Sequence, residues 1–106
     1  VSDSEDLRVE LRQLDLRSVM STPSGRRLIF SLLEDAGVWS PLATIDPHLR
    51  DQMVGRRDFG CELMMRVQAT AGLEYFQMIA EDAKGRIDQL LAAEAERLSG
   101  KGPRND

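Results

Sequence analysis

Cysteine and histidine each occur only once in the 106 residues, and each scarcity closes off a class of chemistry. Cys61 has no second cysteine within the chain, which excludes a disulfide-stapled scaffold of the secreted kind and suits a reducing compartment. His48 lies more than three helical turns before Cys61, so no group with zinc-ligand spacing is formed, and Cys61 reads as a small core residue. Aromatic residues make up only 5% of the chain, so the core must be built from Leu, Met, Ala, Ile and Val, which favours helix-on-helix packing over a β-sandwich. No stretch approaches the ~20 consecutive apolar residues of a membrane span. Residues 1–6 are polar and acidic where a secretory signal needs a basic start and an apolar run, so neither membrane insertion nor export is expected.

Positive charge is also in deficit. Fourteen basic against eighteen acidic side chains give a net charge of −4, which opposes nonspecific attraction to DNA or anionic lipid and disfavours a domain built to bind nucleic acid. The glycines at 25, 37, 55, 60, 72 and 85 are scattered rather than clustered ahead of a lysine, so there is no phosphate loop. Ser24-Gly25 opens a helix with no strand before it, which is not the setting of a nucleophilic serine. Carboxylates are plentiful, but surface helical spacing brings no two of them together as an acid–base pair. The expectation is a non-enzymatic protein without cofactor or metal.

What the chain does have is helical punctuation. Thr22-Pro23 is a cap followed by a proline at the first helical position, and Gly37 offers a left-handed stop. Between them Leu28, Ile29, Leu32, Leu33 and Ala36 form an apolar stripe, with Arg26, Arg27, Glu34 and Asp35 on the polar side. This is the segment around which the other helices are expected to pack.

Before it, residues 5–20 carry two apolar rows, Leu7, Leu11 and Leu14 on one and Val9, Leu16 and Met20 on the other, with Arg8, Arg12 and Arg17 between. Two rows exceed what one small core needs. Either the helix lies in a groove of its own domain, or the row of Val9, Leu16 and Met20 meets another chain, in which case oligomerisation follows. After it, residues 38–45 are broken by Ser40-Pro41, and Trp39 either lids the core from the loop edge or anchors an interface.

Asp46-Pro47 repeats the cap-then-proline start and predicts a helix over 47–71, with a seam of Leu49, Met53, Gly60, Leu63, Met64, Val67 and Ala71. Gly55 and Gly60 inside it signal close approach of another helix, in preference to a break near Arg56-Arg57-Asp58. A last helix is expected over 73–98. Leu73, Phe76, Ile79, Ala80, Ala83, Ile87, Leu90, Leu91 and Leu98 mark its apolar side, Gly85 is its weak point, and Glu81, Asp82, Asp88, Glu94 and Glu96 form a solvated outer face. The fold class is therefore all-α, a small bundle of about four helices. Residues 1–98 form a single domain, and 99–106 are a flexible tail without apolar content.

Arg26-Arg27 and Arg56-Arg57 are two doublets, and the first stands at the end of its helix where the dipole disfavours positive charge. Three partners would offset that: a carboxylate of a neighbouring helix such as Asp15 or Asp58, a carboxylate of a partner protein, or a nucleic-acid phosphate.

The run Asp15-Leu16-Arg17-Ser18-Val19-Met20-Ser21-Thr22-Pro23-Ser24-Gly25-Arg26-Arg27 belongs to a wider pattern. With Leu33-Glu34-Asp35-Ala36-Gly37-Val38, the later Gly55-Arg56-Arg57-Asp58-Phe59-Gly60, and the end marks Tyr75 and Glu81, it resembles a family of small tailed-bacteriophage proteins. That family is found among the head and tail structural genes of short-tailed phages, and the likeness covers roughly residues 15–82. It departs at Trp39-Ser40-Pro41 and Asp46-Pro47. The resemblance implies a virion component made in the host cytoplasm, with no catalytic residues to carry over. Such a component would repeat as a homo-oligomer in a portal, adaptor or internal ejection assembly and dock on other phage structural proteins. Arg26, Arg27, Arg56 and Arg57 would then bridge helices or subunits, beside Trp39 and the row of Val9, Leu16 and Met20. The alternative is a small soluble phage protein that binds and blocks a host defence factor.

Overall fold

The computed structural model describes residues 3–41 and 46–100, all of whose regular structure is helical: α1 (Asp3–Met20), α2 (Pro23–Asp35), α3 (Pro47–Thr70) and α4 (Gly72–Ser99). The helix starts follow the expected chemistry. Thr22 is extended, and its hydroxyl accepts from Gly25 N at 3.1 Å; Asp46 accepts from the backbone N–H groups of His48 and Leu49. Both prolines sit in the first turn, where a missing N–H costs nothing. Gly37 adopts φ 78°, the left-handed stop after α2, and Gly100 does the same after α4 at φ 76°. Residues 42–45 of the loop and 101–106 of the expected tail lie outside the described residues.

α3 runs unbroken through Arg56-Arg57-Asp58, so the two glycines inside it do not mark a break. At Gly60 the cause is close approach. A Cβ built there would lie 2.6 Å from Ala36 Cβ and 2.7 Å from Val38 Cγ2, so α3 crosses the end of α2 at a point only glycine permits. At Gly55 a Cβ would meet nothing within 4 Å, and no close approach explains that residue. The expectation of Gly25 as a simple helix opener is also too weak. Its Cβ would sit 1.7 Å from the carbonyl oxygen of Val19, so the α1–α2 corner closes on bare backbone.

The core gathers where the last turn of α1, the inner side of α2, the second half of α3 and the first two turns of α4 meet. Met20, Leu33 and Val67 are fully enclosed, with Ile29, Ala36, Val38, Ala71, Tyr75 and Met78 around them. It is a small core for the amount of helix. The radius of gyration is 19.2 Å and the extents are 71 × 39 × 17 Å, against a radius of about 13 Å for a compact chain of this length. The excess comes from overhanging helix ends: residues 3–15 of α1 and 83–99 of α4 are exposed throughout.

Three expectations about which faces turn inward are corrected. On α1 the row that reaches the core is Leu16 and Met20, with Val9 further out on the overhang, while Leu7, Leu11 and Leu14 are in water. Met20 therefore belongs to this chain's own core and not to an interface. On α2 the stripe is narrower than its sequence suggests, since Ile29, Leu33 and Ala36 are buried but Leu28 and Leu32 are exposed, and Arg26, assigned to the polar side, is buried on the same line. On α4 the assignment is partly reversed, although Ile79 packs against the core and Asp88, Glu94 and Glu96 are exposed as expected. Tyr75 and Met78 point into the core and Glu81 and Asp82 face α2, while Leu73, Phe76, Ile87, Leu90, Leu91 and Leu98 point to solvent.

Candidate interaction surface

Arg26 explains why α4 presents its charged side to α2. It sits one turn before Ile29 on the buried line of α2, so its guanidinium enters the joint between α1, α2 and α4 with only 5% of the residue exposed. A buried guanidinium requires acceptors on all sides. Nη1 donates to the carbonyl of Met20 at 2.9 Å, at the C-terminal end of α1 where the helix dipole favours a cation. Nε and Nη2 donate to the two carboxylate oxygens of Glu81 at 2.7 and 3.0 Å, a bidentate pair. The unfavourable position of Arg26 at the start of its own helix is thus offset by the end of another helix and by a carboxylate. The partner is Glu81, one of the carboxylates assigned to the solvated face of α4, rather than Asp15 or Asp58. The bond holds the Glu81 carboxyl below the usual carboxylate range and raises Arg26 further above neutrality, each shift opposed by partial desolvation.

Next to it, Arg86 of α4 bonds Glu34 of α2 at 2.9 Å and its own helix neighbour Asp82 at 2.8 Å. Its guanidinium carbon stands 6.0 Å from the centroid of Phe30, and Trp39 stacks on Phe30 at 5.0 Å with 27° between the planes. Trp39 therefore lids Phe30 at the rim of the core while remaining about half exposed. Below these side chains a groove of about 470 Å³ runs between α2 and α4, lined by Arg26, Arg27, Phe30, Glu81 and Arg86 among others. Arginines and carboxylates of this same chain compensate one another there, which is the chemistry of a helix–helix clamp.

The other sequence-predicted residues fall elsewhere. Arg27 is exposed at the groove edge, close enough to Glu81 to contribute to its low pKa. Arg56 is exposed and Arg57 half-buried; both line a small cavity of about 60 Å³ against the turn at Gly37 and Ser40-Pro41. The two doublets thus lie on different parts of the molecule. Val9 and Leu16 line a groove of about 500 Å³ between α1 and α3, with Leu63 and Arg66 opposite and Arg17 bonded to the carbonyl of Thr70 near its end. His48 is exposed on the first turn of α3, with its ring 3.4 Å from the Gln52 amide, and Cys61 is half-buried against the core. Among the described residues no three His, Cys, Asp or Glu side chains converge on a metal position, and no helix is long and apolar enough to cross a membrane.

The described surface also carries many large apolar side chains. Nine apolar residues form the buried core with six partly buried ones packed against it, whereas seventeen large apolar side chains are exposed, sixteen of them spread over all four helices and Trp39 in the turn after α2. Scattered exposed leucines are ordinary, but rows of them on helices that also overhang the core are not. The α4 row is identified by its spacing but its exposure is not, because helical spacing marks an apolar stripe without saying which side of the helix meets the core; the succession of Tyr75, Met78 and Asp82 on the opposite side was the available signal. No family model, curated protein or solved structure matches this chain.

Proposed function

We propose that this protein is a non-enzymatic assembly subunit, a small helical component of a bacteriophage virion whose overhanging apolar faces are covered by neighbouring subunits. The observation that carries the reading is that seventeen large apolar side chains are exposed, against nine buried and six partly buried ones in the core, in a chain with overhangs at both α1 and α4. An isolated helix of that length is marginal in water, and an apolar stripe on it gains free energy only when something covers it. The phage setting rests on the resemblance carried by residues 15–82, and the arginine clamp fits a rigid building block that keeps its own core together while offering its outer faces.

The test is mass spectrometry of purified phage particles together with light scattering of the isolated protein. A subunit of this kind is found at a fixed copy number in particles and associates or binds an apolar dye when purified. Absence from particles together with a stoichiometric soluble complex with a host protein would replace it with the host-factor reading. A nucleic-acid role requires a salt-sensitive DNA affinity that is lost in Arg56→Ala/Arg57→Ala; with a net charge of −4, none is expected.

A further inference from the structure

The exposed side of α4 carries more than a surplus of apolar residues; it has an order. Leu73, Phe76, Ala80, Ala83, Ile87 and Leu90 follow one another at intervals of three, four, three, four and three, so they occupy a single seam of about two and a half heptads. All six are exposed, Leu73 at 80%, Phe76 at 67% and Leu90 at 70%. The seam lies opposite Tyr75 and Met78, so it takes no part in this chain's core. Phe76 is nonetheless held in place, its ring meeting the buried ring of Tyr75 edge to face at 5.4 Å.

The order is palindromic in size. Two alanines stand at the centre, a large pair on the amino-terminal side, and a large pair on the carboxy-terminal side. Reversing the helix about the midpoint between Ala80 and Ala83 places Leu73 opposite Leu90, Phe76 opposite Ile87 and Ala80 opposite Ala83. Small residues at the middle allow two helix axes to come close, and large residues on both sides then pack across the pair. We propose that α4 pairs antiparallel with α4 of a second copy of this chain, with the two-fold axis passing between Ala80 and Ala83. The proposal rests on the assembly-subunit reading and names one of its contacts.

Charge selects the antiparallel direction. The seven-residue pattern continues from Leu90 to Glu94, so a parallel in-register pair would bring Glu94 against Glu94 of the second copy inside the seam, a like-charge contact with a desolvation cost. In the antiparallel register Glu94 passes beyond the start of the other α4, away from the second Glu94, and keeps its pairing with Arg97 of its own helix. Five large apolar side chains, Leu73, Phe76, Ile87, Leu90 and the neighbouring Leu91, are all more than half exposed along this one side, so a second copy laid on it covers a continuous apolar strip and not isolated residues. The contact is isologous, as a two-fold dimer requires.

The full chain, with Cys61 replaced by alanine, provides the test. Leu73→Cys and Leu90→Cys are made separately, and each is oxidised alone and after mixing. Antiparallel pairing gives a disulfide-linked dimer in the mixture and little in either variant alone; dimers of each variant alone, with none favoured in the mixture, would overturn the antiparallel register. Light scattering of Ile87→Glu and Ala83→Arg gives an independent readout. Both sites are exposed, so helicity by circular dichroism should persist while the mass at micromolar concentration falls by half or more. An association unchanged by both variants, with no mixed disulfide, would overturn the α4 contact and leave the assembly reading standing on other faces. A wild-type chain that is monomeric at high micromolar concentration would also overturn the contact, and particle composition would then judge the assembly reading by itself.

Discussion

Arg26 and Glu81, fifty-five residues apart, share two hydrogen bonds of 2.7 and 3.0 Å, and the same guanidinium donates to the carbonyl of Met20 that ends α1. One side chain thus ties α1, α2 and α4 together at the edge of the core. Because its position on the buried line of α2 leaves it little exposed, at the edge of the groove between α2 and α4, a carboxylate brought to it by α4 offsets its desolvation.

The clamp makes stability depend on pH in one direction. The Glu81 carboxyl titrates below its unfolded value, so its contribution is fully present above the unfolded pKa and is lost as pH falls through the folded one. In that acidic window the unfolded state binds more protons, and stability rises with pH. Urea denaturation from pH 7 down to pH 3 should show the wild type losing stability below about pH 5. Glu81→Gln should be less stable at pH 7 and show a flatter profile through the same range; parallel profiles would mean that Glu81 does not supply the slope.

Glycine-to-alanine exchanges should separate two kinds of glycine on the long helices. At Gly60 the new methyl group meets Ala36 Cβ at 2.6 Å and Val38 Cγ2 at 2.7 Å, so Gly60→Ala should destabilise by about 1–3 kcal/mol through overpacking. Gly85 faces open space, so Gly85→Ala should stabilise by up to about 1 kcal/mol from helix propensity alone. Thermal or urea unfolding of the two variants measures the opposite signs directly.

The inverted rows of α1 can be read from stability. Met20 is fully enclosed, so Met20→Ala should cost about 2–5 kcal/mol. Leu11 lies on the exposed row, and Leu11→Ala should stay within about 0.5 kcal/mol of wild type. Similar losses at both positions would mean that the Leu7, Leu11 and Leu14 row is buried as well.

Caps give a smaller and equally specific effect. The Thr22 hydroxyl accepts from Gly25 N, and Thr22→Ala should cost about 1 kcal/mol, with Thr22→Ser restoring most of it. At Gly25 no side chain fits, because a Cβ would overlap the Val19 carbonyl; Gly25→Ala should yield less folded protein at 37 °C, as seen by circular dichroism.

The sequence alone determined where the helices begin and end. Thr22-Pro23, Asp46-Pro47 and Gly37 act through their own backbone and nearest neighbours, so local chemistry was enough to place α2 and α3 and to make the chain all-α. The α3 seam of Gly60, Leu63, Met64, Val67 and Ala71 did turn inward as its spacing indicates, but on α1 and α4 the inward side was decided only by the tertiary structure. α4 has an apolar seam on one side and Tyr75, Met78, Glu81 and Asp82 on the other, and α1 has two apolar rows; periodicity reports the spacing of such rows but not their direction. The direction follows from a requirement visible only in three dimensions, that the guanidinium enclosed at Arg26 be met by carboxylate and carbonyl oxygen. Meeting it keeps Glu81 on the α2 side of α4, with Leu73 and Phe76 on the solvent side, while Ile87 and Leu90 lie on the overhang beyond the core.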